Sequence, residues 1–336
     1  MKPNSVKIAL LSGACLLLAV PAHGIEWSGY GEVRGGGGSY HTENMHLLVA
    51  KGNSEWSVAG SAHANMAFAS GLNLQFDLEG KKDFFQLDYL YDYYAYNPEN
   101  RDTASSYGFG IHLNGRWNDY RFGPLLSFGN AHWLTAGFEA ARYFEKTTLF
   151  AQATYSADLK NDPYTANYWY LQTGGRYFPQ DNLMFELGLG AGIIDAINEP
   201  SISAYTRTFD SASYTATSTY GGINGNMVLW SAKAEYRFEA MPISIGLDYQ
   251  GSYATKRRLV MTRYDFDHTW GYSWHGGTKA NRLENLFMLK LRYYLGTASL
   301  IAHDRDGASM NDYNPLYGVT AIPEADAGII VVPVPA

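Results

Sequence analysis

From position 72 to 79 the chain alternates without exception. Leu72, Leu74, Phe76 and Leu78 fall on one side, and Asn73, Gln75, Asp77 and Glu79 on the other. Period two is the mark of a β-strand, here with one wholly apolar and one wholly polar face. The pattern recurs at Tyr107, Phe109, Ile111 and Leu113, at Leu183, Phe185, Leu187 and Leu189, and at Phe287, Leu289, Leu291, Tyr293 and Leu295. Alternation and turn residues together predict about twelve strands, at 27–34, 57–68, 71–79, 107–114, 120–128, 132–143, 147–156, 168–178, 183–191, 227–238, 243–253 and 284–295. The fifth is the weakest, because Pro124 cannot donate to a ladder. Segment 84–96, with Leu87, Tyr89, Tyr91 and Tyr93, is either one or two further strands or a folded loop. The count therefore ranges from about ten to about fourteen.

The joins alternate in length. Those at 69–70, 115–119, 144–146, 179–182 and 239–242 are tight and rich in turn residues, whereas 35–56, 80–106, 192–226 and 254–283 are long. Join 157–167 is intermediate, and 129–131 is short on the long side. Short turns at one rim and long loops at the other fit an all-β, antiparallel up-and-down transmembrane barrel, apolar outward to lipid and polar inward to a lumen. A soluble sandwich or lipocalin-like barrel would pack its apolar face inside. Trp27, Trp133, Trp169, Tyr170, Tyr177, Tyr236, Phe238, Tyr293 and Tyr294 stand near strand ends, where aromatic rings favour a membrane interface.

The N-terminus supplies a compartment. Lys2 and Lys7 precede an apolar run at 8–20, and Ala22 and Gly24 offer small residues around a cleavage point. This reads as a secretory signal over 1–24, too short to span a bilayer as a helix. Cys15 lies within it, so the mature chain has no cysteine and no disulfide; Ser12 stands where a lipoprotein signal needs an apolar residue. The aromatic fraction is 15% and the charged fraction 17%. The mean hydropathy of -0.25 alone would suggest a soluble chain, but barrels hide from hydropathy because half of each strand faces the lumen. A net charge of -7 argues against nucleic acid as a partner.

The last predicted strand ends Leu286-Phe287-Met288-Leu289-Lys290-Leu291-Arg292-Tyr293-Tyr294-Leu295. Together with the alternation over 27–295, it resembles the Gram-negative outer-membrane β-barrel proteins, in the broad porin-like sense. That resemblance implies residence in the outer membrane among lipid and lipopolysaccharide, and insertion by the barrel assembly machinery through the final-strand signal. Such barrels often end on that aromatic strand, whereas this chain continues to 336. The expected organisation is a signal at 1–24, a barrel over 25–295 and a periplasmic tail over 296–336. The tail has Pro315, Pro323, Pro333 and Pro335 and little alternation. Disorder is its default reading, and docking into the lumen as a plug the alternative.

The polar faces give the expected lumen. Its acids are Glu32, Asp77, Glu79, Glu139, Glu186, Glu235 and Asp248; its bases are Arg34, Arg121, Arg176, Lys233, Arg237, Lys290 and Arg292. Hairpin register sets Arg176 opposite Glu186 and Lys233 opposite Asp248, and cross-strand opposite charges attract. Two readings stay open. Paired charges either bridge and close the lumen or line a passage for small solutes, as charged rings tune pores. The leading function is passive passage of small solutes. A closed scaffold or adhesin with long surface loops comes next, and a lipid- or peptide-hydrolysing enzyme third.

Chemistry is sparse by sequence. Ser127 and His132 approach across a turn, with no third group to orient them. His268 and His275 flank Trp270, Tyr272 and Trp274, too few and too spread for a metal site. Asp304-Arg305-Asp306-Gly307 echoes a calcium loop but lacks the later ligands. Gly35 to Gly38 precede no helix, so they are no phosphate cradle. No catalytic residue, metal or cofactor is expected. Lys256, Arg257, Arg258 and Arg263 are expected in the last long loop at the outer rim, where lipopolysaccharide phosphates would lie.

Overall fold

A computed structural model describes residues 25–44, 49–86, 101–129, 133–159, 166–196, 201–209, 212–266 and 271–309. The signal at 1–24, His132, His268, most of 84–96 and the tail beyond 309 lie outside the described residues. One antiparallel sheet holds β1 (Ile25–Asn44), β2 (Val49–Phe68), β3 (Leu72–Gln86), β4 (Arg101–Trp117), β5 (Tyr120–Gly129), β6 (Trp133–Tyr143), β7 (Thr147–Asp158), β8 (Ala166–Gln180), β9 (Leu183–Ala196), β10 (Ser201–Phe209), β11 (Ala212–Arg237), β12 (Ile243–Phe266) and β13 (Gly271–Leu295). β13 pairs with β1, and β9 pairs with β11, so the sheet closes. β10 pairs with β11 beside the ring, which leaves twelve strands in the barrel.

The predicted strands are all present but too short at the distal rim, the end away from Ile25 and Leu295. Residues 35–44 continue β1, 101–106 open β4, and 254–266 continue β12. The predicted loop 192–226 holds β10 and the first half of β11. Above a membrane both faces of a ribbon are wet, so the two-residue contrast that marks a strand disappears. Gly36 and Gly38 lie in such an extension. A Cβ on either would fall within 2 Å of a β13 backbone oxygen, so side chains there would push the closing seam apart. Pro124 stays in β5, and the β4–β5 register skips from Gly115↔Phe122 to His112↔Leu125 around it.

The alternation faces outward as expected. Leu289 is 71% and Leu187 69% exposed, while Asp77 and Glu235 are each 1% exposed. Exposed Leu, Phe, Val and Ile on strand after strand form a surface suited to hydrocarbon and unsuited to water. Trp27, Trp169, Tyr177, Tyr236 and Tyr293 are exposed among them, whereas Tyr170 and Tyr294, expected in the girdle, are buried. Each of those two follows an outward aromatic by one residue, and period two turns it into the lumen.

The tail does not begin in disorder. Gly296, at φ +75°, turns the chain inward where a Cβ would meet the Trp27 backbone oxygen at 2.1 Å. Helix α1 (Leu300–Asp306) follows, with Ser299 accepting from the Ala302 N–H and the Gly307 N–H closing onto the His303 carbonyl. Leu300 and Ala308 are fully buried with Tyr30, Phe178, Met184 and Tyr294. Residues 297–309 thus form a plug at the terminal rim.

Candidate functional site

The lumen is the only region where charged side chains converge among the described residues. Twelve of the fourteen residues predicted to line it are buried there, and Arg34 and Glu79 are partly exposed. Eleven of them form three clusters along the wall, between strands one or two apart, while Arg121 and Arg237 donate to the plug and Glu79 lines the cavity above.

The first cluster joins β11, β12, β13 and β1. Arg292 donates from Nε to Glu32 Oε2 at 2.9 Å and from Nη1 to Glu235 Oε2 at 3.1 Å. Lys290 Nζ lies 2.9 Å from Glu235 Oε2 and 3.1 Å from Asp248 Oδ1. Arg34 Nε lies 3.0 Å from Glu32 Oε1. The Arg292 guanidinium also covers the Tyr30 ring at 4.2 Å.

The second cluster joins β8, β9 and β11. Arg176 donates from Nε to Glu186 Oε2 at 2.6 Å, and Lys233 Nζ lies 3.0 Å from Glu186 Oε1. The predicted Arg176–Glu186 pair is therefore present. Lys233 and Asp248 are cross-strand partners by register as expected, but the ion pairs divide otherwise: Lys233 turns to Glu186 and Asp248 to Lys290. Each charge has neighbours on two strands, and register alone cannot choose between them.

The third cluster, over β2, β3, β4 and β6, was missed by sequence. His63 Nδ1 lies 2.6 Å from Asp77 Oδ1, and His112 Nε2 lies 2.6 Å from Asp77 Oδ2. His112 Nδ1 lies 2.9 Å from Glu139 Oε1, which also accepts from Asn114 Nδ2 at 2.6 Å. His63 Nε2 reaches Ser61 Oγ at 2.9 Å. Ser61, His63, Asp77 and His112 all sit on inward positions, so the alternation that assigned Asp77 to the lumen would also have placed both histidines beside it.

The plug engages all three clusters. Asp304 accepts from Arg176 Nη1 at 2.7 Å and from Thr148. Arg237 Nη2 donates to the Thr297 carbonyl at 2.6 Å, and Arg121 Nη1 donates to the Gly307 carbonyl at 3.0 Å. The Ser309 N–H donates to Gln75 Oε1 at 2.6 Å, and Tyr30 donates to the Ser309 carbonyl at 3.2 Å. His303 meets the Tyr30 and Tyr294 rings edge-on at 5.4 and 4.7 Å, and its Nε2 has no hydrogen-bond partner. Burial, with the positive charges of Arg292 and Arg237 nearby, holds its imidazole well below the usual histidine range. Asp304 and Asp306 take Arg176 and Arg116 as partners, so the resemblance to a calcium loop has no counterpart in the fold. No group of three or more potential ligands that could hold a metal occurs among the described residues.

Toward the distal rim the lumen widens into a cavity of about 110 Å³, lined by Arg34, Glu79, Lys81, Tyr170, Gln172, Ser231, Gln250, Ser252 and Glu284, among others. Ser127 is buried, and its expected partner His132 lies outside the described residues. Lys256, Arg257, Arg258 and Arg263 belong to the β12 ribbon rather than to a loop, and their side chains lie outside the described residues. The same holds for the His275 side chain in β13.

No protein-family model matches the chain, and no curated protein matches it. Solved structures do. An outer-membrane channel from Pseudomonas putida F1 is similar at 15% identity and TM-score 0.42, over 82% of this chain and 97% of that one. The outer-membrane protease OmpT from Escherichia coli is similar at 10% identity and TM-score 0.31, over 83% of this chain and 99% of that one. OccK5 (OpdH) from Pseudomonas aeruginosa is similar at 8% identity and TM-score 0.24, over 80% and 98%. Similarities this low say nothing of what the chain binds or carries; the barrel itself is established by its own closure and register.

Proposed function

We propose that this chain is an outer-membrane β-barrel channel for small polar solutes, closed here by its own C-terminal segment. The exterior supports the location, since its apolar side chains would be a liability in water. The observation that carries the gate is the placement of residues 297–309. They belong to no strand of the sheet, yet they fill the terminal rim and hold polar contacts with wall residues such as Gln75, Arg121, Thr148, Arg176 and Arg237. The charged clusters pair around the wall between near-neighbour strands, so departure of the plug would leave a charged ring facing water. Such rings tune ion and solute passage.

Planar-bilayer recording of the full chain and of a chain ending at Leu295 tests this. The full chain should be mostly silent and the shortened one should conduct in steps. Equal conductance in both would remove the gate. Silence in both, with insertion verified, would favour a closed scaffold, the reading to which the buried Met227, Leu286 and Met288 lend weight.

A further inference from the structure

We infer that Ser61, His63 and Asp77 form a nucleophile–base–orienter constellation in the lumen, fit to hydrolyse a small uncharged carboxylic ester. The connectivity is the one such chemistry needs. His63 Nδ1 faces Asp77 Oδ1 at 2.6 Å, and His63 Nε2 faces Ser61 Oγ at 2.9 Å. A carboxylate on Nδ1–H fixes the tautomer that leaves the Nε2 lone pair for the serine proton. Asp77 is itself held by Gln75 Nε2 at 2.8 Å and by His112 at 2.6 Å. The imidazole is stacked on the Tyr30 ring at 4.2 Å, which limits its rotation.

The fold explains why the three meet. Ser61 and His63 are consecutive inward positions of β2, and His63 is the direct cross-strand partner of Asp77. Ser61 is half-buried, whereas His63 and Asp77 are buried, so the nucleophile is the accessible member. The inward position next to Ser61 on the distal side is Ala59, which lines the cavity. Arg34 and Lys81 flank Ala59 from the two adjoining strands, about 7 Å along the sheet from the level of Ser61. Glu32 and Glu79 are the direct cross-strand neighbours of Ser61, and Arg34 and Lys81 pair with Glu32 and Asp83, so the site disfavours an anion and suits an uncharged ester.

The reaction balances with water as the sole co-reactant. Ser61 Oγ bonds to the ester carbonyl carbon as its proton passes to His63 Nε2. The tetrahedral adduct collapses, the C–O bond to the alcohol breaks, and the alcohol leaves with that proton. Water then attacks the acyl carbon, gives a proton to Nε2, and the carboxylic acid departs as Ser61 recovers its proton. Ser61 lies one inward position from Ala59, which lines the cavity, so a small substrate is the one that fits between them. The inference does not depend on conduction through the terminal rim.

The test uses the folded full chain in detergent, a fluorophosphonate probe and 4-nitrophenyl acetate. Mass spectrometry should find one adduct, on Ser61. Ser61→Ala, a change of one oxygen on a half-buried side chain, should abolish labelling and lower hydrolysis about 100-fold or more while leaving the heat-induced gel shift of the folded barrel intact. Asp77→Asn should slow labelling at neutral pH and displace its pH profile, which a merely structural aspartate would not do. No Ser61 adduct, or hydrolysis unchanged in Ser61→Ala, would overturn the inference.

Discussion

Replacing Arg176 with methionine separates a filled lumen from a wet one. Arg176 is 3% exposed and serves two acids, Glu186 on the wall at 2.6 Å and Asp304 in the plug at 2.7 Å, while its guanidinium covers the Phe150 ring at 4.5 Å. Methionine keeps most of the stem packing and removes the charge. Breaking a buried pair costs about 3–5 kcal/mol, because the abandoned charge stays desolvated. Here Glu186 keeps Lys233 at 3.0 Å and Asp304 keeps Thr148, which places the loss near the lower end. A pair in water would lose only about 0.2–1 kcal/mol. Denaturant titration in detergent, followed by tryptophan fluorescence, reads the difference. Combining Arg176→Met with Asp304→Asn should show coupling of about 1–3 kcal/mol. In a chain ending at Leu295 the same Arg176 replacement should cost less, since Asp304 is gone. A loss under about 1 kcal/mol, equal in both chains, would refute both the dry lumen and the docked plug.

The lumen partners predict that Lys290→Met and Asp248→Asn couple more strongly in a double-mutant cycle than Lys233→Met and Asp248→Asn; the reverse order would show that register, not the ion pairs seen, governs pairing. Docking of the plug should weaken on acidification. His303 is held below its free value in the docked state, so docking is full above about pH 6.5 and declines by up to tenfold per unit below it. Protease accessibility of the tail at pH 7.5 and 5.5 checks this, and His303→Phe should abolish the dependence. An epitope inserted after Phe209 should be stained on intact cells, and one between Gln180 and Leu183 should not; the opposite result would invert the barrel.

What the sequence disclosed follows from where contrast exists. Within the bilayer, lipid on one side and lumen on the other impose alternation, so Leu72 to Glu79 and Phe287 to Leu295 were legible residue by residue. Beyond it, the β1 ribbon from Gly35 and the β10–β11 hairpin are rich in Gly, Ser, Thr and Tyr with no regular apolar–polar alternation in sequence, and the signal is lost. Helix α1 is seven residues long, too short for a helical period to register, and is held by Arg176 on Asp304 and by burial of Leu300 and His303 against aromatic rings instead. Facing needs only parity, and twelve of the fourteen charges assigned inward by parity are buried. Their partners do not follow from parity, because Lys233 and Lys290 each choose among acids on several strands. The Ser61–His63–Asp77 arrangement follows from the same parity rule once cross-strand register is known, whereas chain proximity pairs a serine with a histidine only at Ser127 and His132.

The gate is tested most directly by tying it shut. The mature chain has no cysteine if the signal is removed, since Cys15 is the only one. Thr148→Cys with Asp304→Cys places a thiol on each side of an observed wall–plug contact. With the pair oxidised, planar bilayers should stay silent across voltage and at pH 5.5. Adding a reductant to the same membrane at pH 5.5, where docking is weakened, should raise stepwise conductance above that of the oxidised protein and toward that of the chain ending at Leu295. Conductance that is already present in the oxidised protein, and unchanged by reduction, would contradict a C-terminal gate.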